Sequence, residues 1–205
     1  MNRVAIIDYG LCNLDSVKRA VEEIGGRPYI VDDGRDLASP DHIVLPGVGS
    51  FAQAMANLRA RSLDRAMEQE VLGTGIPLLG ICLGMQLLAT QGTEGGPNGG
   101  LGWVQGDVIR LESVEPGERV PHMGWNEVHP TDASALFDGI DSGTDFYFVH
   151  SYHFRAREPE AVIASTPYCG EFTSAVAHGL VFGVQFHPEK SQRSGFHVLQ
   201  NFLEV

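Results

Sequence analysis

The sequence predicts an α/β fold: a mostly parallel central sheet flanked by helices, with an antiparallel extension behind it. Three observations carry that prediction. Short apolar runs alternate with helical stretches over the first ninety or so positions, the pattern of βα units. The 25 glycines suit many tight βα turns. After Gly102 the chain changes to strand-like pieces with few helices. At 205 residues, 43% hydrophobic and 20% charged, the chain suits one domain over residues 1–205, and no stretch is both polar and long enough to be a linker.

Val4 to Asp8 is an apolar run ending in an acid, followed by the turn-prone Tyr9 to Asn13. Leu14, Val17, Val21 and Ile24 then fall at helical spacing, with Asn13 as N-cap and Gly25-Gly26 as the stop. Tyr29 to Val31 is a short strand, and His42 to Leu45 another, running into Pro46-Gly47-Val48-Gly49-Ser50. Phe51, Met55 and Leu58 resume helical spacing, and Leu63 to Leu72 is a further helical stretch. Ile76 to Leu79 reads as a buried strand of a parallel sheet and Met85 to Ala89 as the start of a helix. Gly92 to Gly102 reads as a mobile glycine-rich loop. Beyond it, Val108 to Leu111, Glu127 to His129, Phe146 to Val149, Val162 to Ala164 and Ser174 to Ala177 are expected strands. Leu180 to His187 is a stronger one, and Phe196, Leu199, Phe202 and Leu203 stripe a C-terminal helix.

A net charge of −12 disfavours nucleic acid or an anionic membrane as the general partner. Cys12, Cys82 and Cys169 are an odd number without framework or zinc spacing, which fits a reducing compartment. The N-terminus lacks the parts of a signal peptide and no segment is long and apolar enough to span a bilayer, so a cytoplasmic protein is expected.

The chemistry centres on Cys82. It falls where strand gives way to helix, and Gly80 and Gly84 bracket it as Gly-x-Cys-x-Gly, a cysteine version of the nucleophile elbow. A helix start favours thiolate over thiol. A buried packing cysteine is the competing reading of the segment alone. A cysteine nucleophile needs a base and a group to orient the base. His187-Pro188-Glu189 offers both, since in extended backbone Glu189 and His187 project to one side. Both sites lie beyond the carboxyl ends of expected strands, where α/β sheets build their sites. The developing oxyanion requires donors: the Leu83 amide is one, and the Pro46 to Gly49 loop can supply another, although spacing alone favours reading it as just a tight βα turn.

Gly80-Ile-Cys-Leu-Gly-Met-Gln86 with Gln185-Phe-His-Pro-Glu189 resembles the triad-type, class I glutamine amidotransferases. Asp8-Tyr-Gly10 with Asn13-Leu14, Leu45-Pro-Gly-Val-Gly-Ser-Phe51, Pro121-His-Met-Gly-Trp-Asn126, Phe148-Val-His-Ser-Tyr152 and His187-Pro-Glu-Lys-Ser191 extend the likeness over nearly the whole chain. Together they are similar to the glutaminase subunits of imidazole glycerol phosphate synthase. That resemblance implies a flavodoxin-like fold and hydrolysis of L-glutamine to glutamate and ammonia through a thioester on Cys82. His187 acts as base and then acid, oriented by Glu189. It implies oxyanion donors at Leu83 and Val48, the latter resting turned away. Gly49, Gln86, Ser151 and Tyr152 hold substrate, and no cofactor or metal takes part. The implied partner is a (β/α)8 cyclase subunit that receives the ammonia in a heterodimer, with Asn13, Met123, Trp125, Asn126 and Lys190 at or near the interface. Cys12 stands where many relatives carry glycine. Two other readings stay open: a non-catalytic docking scaffold, against which the full set Cys82, His187 and Glu189 argues, and a peptidase or γ-glutamyl hydrolase on a related fold working without a partner.

Overall fold

The computed structural model describes residues 2–131 and 134–205. The first half runs β1 (Arg3–Ile7), α1 (Leu14–Glu23), β2 (Arg27–Val31), β3 (His42–Gly47), α2 (Phe51–Ala60), α3 (Leu63–Glu68), β4 (Leu78–Cys82) and the short α4 (Leu83–Leu87). There follow β5 (Gln91–Gly92), β6 (Asn98–Gly99), β7 (Gly106–Arg110), β8 (His122–Pro130), β9 (Thr144–His150), β10 (Tyr152–Ala156), β11 (Val162–Thr166) and β12 (Phe172–His178). Then β13 (Val181–Val184) and α5 (Gln192–Leu203) return the chain to the central sheet.

The strands β2-β1-β3-β4-β13 lie in that order and are parallel at every pairing. Along β1, Ala5 and Ile7 belong to one apolar layer and Val4 and Ile6 to the other. Burial on both faces is why these strands read as continuous apolar runs. Phe51, Met55 and Leu58 of α2, Met67 of α3 and Met85 of α4 fill the first layer. Val17 and Val21 of α1 with Val198, Leu199 and Phe202 of α5 fill the second. Beyond β13 the sheet continues antiparallel through β12, β10 and β7, and β8 pairs with β9 from His122↔His150 to Val128↔Thr144. Among the described residues no helix is long and apolar enough to cross a membrane.

Several boundaries differ from the sequence reading. β4 begins at Leu78 and runs through Gly80 to Cys82, because the glycine stays in register with Leu45 and Gly183 on either side, whereas the Ile76 amide bonds to the Glu70 carbonyl. The helical stretch from Leu63 leaves α geometry after Glu68 for a π turn over Gln69–Gly73. The glycine-rich segment expected to be a mobile loop carries the small antiparallel pair β5–β6, which extends the sheet edge beside β7. β10 was not expected at all, and β8 starts five residues before the expected Glu127. β13 stops at Val184, so His187 lies outside the strand. Asn13 sits at the N-cap of α1, but its side chain makes no capping hydrogen bond.

Register brings the carboxyl ends of the central strands together: Gly47 pairs with Cys82, and Ile81 with Val184. Cys82 ends β4 at φ 54°, ψ −108°, a region that costs a residue bearing a Cβ on the order of 1–3 kcal/mol. Its neighbours are glycines for reasons of space. A Cβ at Gly84 would run into the Leu45 carbonyl oxygen, and one at Gly80 would lie 2.7 Å from the Gly84 backbone. We expect Gly84→Ala to lower stability by about 2 kcal/mol or more, seen as a melting temperature about 5 °C lower. Gly73→Ala, where an added Cβ meets nothing within 4 Å, should stay within about 0.5 kcal/mol of the parent in the same denaturation measurement.

Candidate active site

The strained turn at Cys82 leaves its sulfur at the edge of a cavity of about 320 Å³. Val48, Gly49, Leu83, Gln86, Ser151 and Tyr152, all singled out from sequence, line the same cavity. They arrive from four places: the β3–α2 loop, the start of α4, one turn further along α4, and the β9–β10 corner. Cys82 is 6% exposed, and its sulfur lies 3.8 Å from the Val149 carbonyl and 3.6 Å from Gln185 Nε2.

His187 and Glu189 are bonded through Nδ1 and Oε1 at 2.8 Å, with side chains 3% and 2% exposed. The contact is made across a 3-10 turn, Pro188–Lys190, rather than along an extended strand. The turn is pinned from three sides. The His187 amide donates to the Tyr147 carbonyl, the Ser191 hydroxyl donates to the His187 carbonyl, and α5 approaches so closely that a Cβ at Gly195 would strike the Pro188 carbonyl. With Nδ1 committed to Glu189, Nε2 has no hydrogen-bond partner and is the nitrogen available for proton transfer. Burial pushes His187 towards the neutral form, but Cys82 and Glu189 on either side outweigh it and hold the imidazole well above its ordinary pKa.

The Leu83 amide opens α4, where first-turn amides have no partner within the helix. The Val48 amide is committed elsewhere: it donates to the Leu11 carbonyl at 2.8 Å. Gly49, next along, has φ 93°. Gln86 donates from Nε2 to the Tyr152 carbonyl at 2.9 Å and to Gln185 Oε1 at 3.0 Å. Cys12 donates to the Ile7 and Pro46 carbonyls, burial pushes its thiol up to about 11, and its backbone has no positive φ, so a side chain fits that turn without strain.

The residues expected near an interface gather only in part. Met123 and Trp125 are 64% and 48% exposed on the outward face of β8, and Lys190 lies over the Tyr147 ring, which meets Trp125 edge-on. Asn126 points to the inward face of that strand, bonded to His122, and Asn13 is exposed at the start of α1.

Sequence reasoning missed four neighbours of the site. Glu94 lines the cavity and accepts the Phe51 amide at 2.8 Å, but it lies in the stretch read as a loop. His150 also lines the cavity. Tyr147 was placed only within an expected strand. Gln185 is fully buried between Gln86 and Cys82, and an amide inside the apolar run Val181 to Phe186 was the signal that could have found it.

The fold and the site agree with what the chain is similar to. The family profile for glutamine amidotransferase class-I matches residues 5–205. The chain is 50% identical to imidazole glycerol phosphate synthase subunit HisH of Moorella thermoacetica, over 100% of this chain and 96% of that protein. It is 47% identical to the subunit of that name from Caulobacter vibrioides, over 100% and 99%. Among solved structures it superposes on PurLQS from Thermotoga maritima with a TM-score of 0.77 at 20% identity, covering 100% of this chain and 99% of that one. A glutamine amidotransferase crystal structure gives 0.77 at 18% identity, over 98% and 99%. The chain is a member of the class I glutamine amidotransferase family.

Proposed function

We propose that residues 1–205 form one glutamine amidotransferase domain, the glutaminase subunit of imidazole glycerol phosphate synthase. It hydrolyses L-glutamine and hands the ammonia to a (β/α)8 cyclase that makes imidazole glycerol phosphate and AICAR in histidine biosynthesis. The observation that carries this reading is Cys82, on its strained turn at a cavity lined by Gly49, Gln86, Ser151 and Tyr152, with the buried His187–Glu189 pair near enough for the Cys82 sulfur to help raise the imidazole's pKa. The full-length likeness to the named subunits supports the pathway and the partner. The three free cysteines suit a cytoplasmic setting.

The Cys82 proton passes to His187 Nε2 ahead of attack, forming the imidazolium, and the sulfur then attacks the side-chain carbonyl carbon of glutamine. The tetrahedral oxyanion is held by the Leu83 amide and, when its peptide turns in, by Val48. The imidazolium, stabilised by Glu189, protonates the departing ammonia as the carbon–nitrogen bond breaks and the γ-glutamyl thioester forms. Water, deprotonated by His187, then attacks the thioester carbonyl; sulfur leaves, regains the proton and frees glutamate. Glu94, the carboxylate in the cavity lining, suits the substrate's α-ammonium.

The Val48–Leu11 hydrogen bond is the resting state of a gate. Without the second donor turnover is low, and cyclase binding with its nucleotide ligand favours the turned-in peptide. The exposed Met123 and Trp125, with Lys190 over Tyr147, are the surface on which that partner sits.

Adding the cyclase and its nucleotide ligand should raise glutamine turnover by about a hundredfold to a thousandfold, the worth of one oxyanion donor. An isolated subunit as fast as the complex contradicts the gate. Cys82→Ala in the complex should abolish glutamine-dependent synthesis while leaving synthesis from added ammonium intact; retained glutaminase removes Cys82 as nucleophile. Glu189→Gln tests the charge on the base. Below the raised pKa of His187 the imidazolium is fully formed, and it is lost as pH rises through that value. Removing the carboxylate lowers the pKa, so the alkaline limb of the kcat profile should move to lower pH, with kcat down about a hundredfold or more. An unmoved limb contradicts the assignment.

A further inference from the structure

Behind the substrate cavity lies a second histidine cluster that the chemistry above does not use. His122 of β8 and His150 of β9 face each other across the first pairing of that ribbon, 3% and 6% exposed, with Nδ1 of the former 3.0 Å from Nε2 of the latter. The hydrogen bonds fix every proton in the cluster. At one end the Glu127 backbone amide donates to Asn126 Oδ1 at 2.9 Å, so the nitrogen of that amide faces His122 and donates to its Nε2 at 3.3 Å. At the other end, His150 Nδ1 lies 2.9 Å from the Tyr152 carbonyl, which can only accept. His150 therefore carries its proton on Nδ1 and accepts at Nε2, and His122 must donate from Nδ1. Burial holds both rings neutral, with pKa values lowered to about 4 and about 3. The chain of donors runs one way, from the backbone of β8 to the backbone of the cavity wall.

That wall is the point of the arrangement. The Tyr152 carbonyl accepts from His150 on one side and from Gln86 on the other, and His150, Ser151 and Tyr152 all line the cavity. The strand that bears His122 inward bears the exposed Met123 and Trp125 outward.

We propose that His122 and His150 are positioning residues for glutamine binding: the neutral pair fixes the Ser151–Tyr152 edge of the cavity and ties its position to that of β8. The proposal rests on the reading of the cavity as a glutamine site. Either ring turned to its other tautomer sets donor against donor or leaves a buried acceptor bare, and the corner loses one of its two restraints.

The test uses the complex with the cyclase and its nucleotide ligand, where the parent chain must hydrolyse glutamine; if it does not, the functional reading fails before any variant is compared. His122→Phe keeps a flat ring against Tyr168 and Phe148 but can neither donate nor accept. It should raise KM for glutamine about tenfold while changing kcat less than about threefold, the signature of lost binding shared by ground and transition states. His122→Asn sacrifices the ring packing but restores a donor near Nδ1, and should bring KM back to within about threefold of the parent. A role in packing alone predicts the opposite ranking. A parental KM for His122→Phe, or that opposite ranking, overturns the proposal. A second measurement needs no variant: ¹⁵N spectra of the histidine rings in the parent protein should show both as neutral Nδ1–H tautomers near pH 7, and an Nε2–H form of either overturns it.

Discussion

The close approach of Gly84 to the Leu45 carbonyl is the constraint on which the site depends. It lets α4 begin immediately against β3, so that β4 has no room to end in ordinary extended backbone and Cys82 is turned to φ 54°. The turn directs the sulfur towards the cavity and leaves the Leu83 amide at the helix start beside it. Strain of about 1–3 kcal/mol at one residue persists because the strands on both sides of β4 hold it by register, Gly47 opposite Cys82 and Val184 opposite Ile81. A parallel sheet buried on both faces is suited to such a load, since its strands cannot shift singly.

β9 joins the parts. Its Tyr147 carbonyl holds the His187 amide, its Val149 carbonyl faces the Cys82 sulfur, and its last residue, His150, fixes the Tyr152 carbonyl. Electrostatics separates the histidines that this strand touches. His187 is flanked by Glu189 and Cys82 and is held towards the cation. His122 and His150 have no carboxylate among their hydrogen-bond partners and are held neutral. Burial acts on all three; the presence or absence of a neighbouring charge decides the outcome.

What could be read from sequence follows the range of the interaction. The elbow and the His187–Glu189 pair are local: each residue type needed lies within a few positions of the next, and the parallel strands announce themselves as apolar runs. β8 was expected only from Glu127, because its inward positions carry His122 and Asn126 and so break the apolar alternation that marks a half-buried strand. β10 does carry that alternation, Tyr152, Phe154 and Ala156 against His153 and Arg155, but over only five residues directly after β9, and it was passed over. Glu94, Gln185 and Tyr147 reach the site through pairings between distant strands, which spacing along the chain does not encode. The Val48 amide shows the remaining limit: Pro46 to Gly49 marks a turn that can be reoriented, but its partner, the Leu11 carbonyl, belongs to another loop.

The central claim is that the strained turn presents Cys82 as the nucleophile. The most direct test is mass spectrometry of the complex, acid-quenched within the first turnovers on glutamine. The account predicts an adduct equal in mass to glutamine less ammonia, located on the peptide that carries Cys82. Turnover with no such adduct, or an adduct on Cys12 or Cys169, would contradict it.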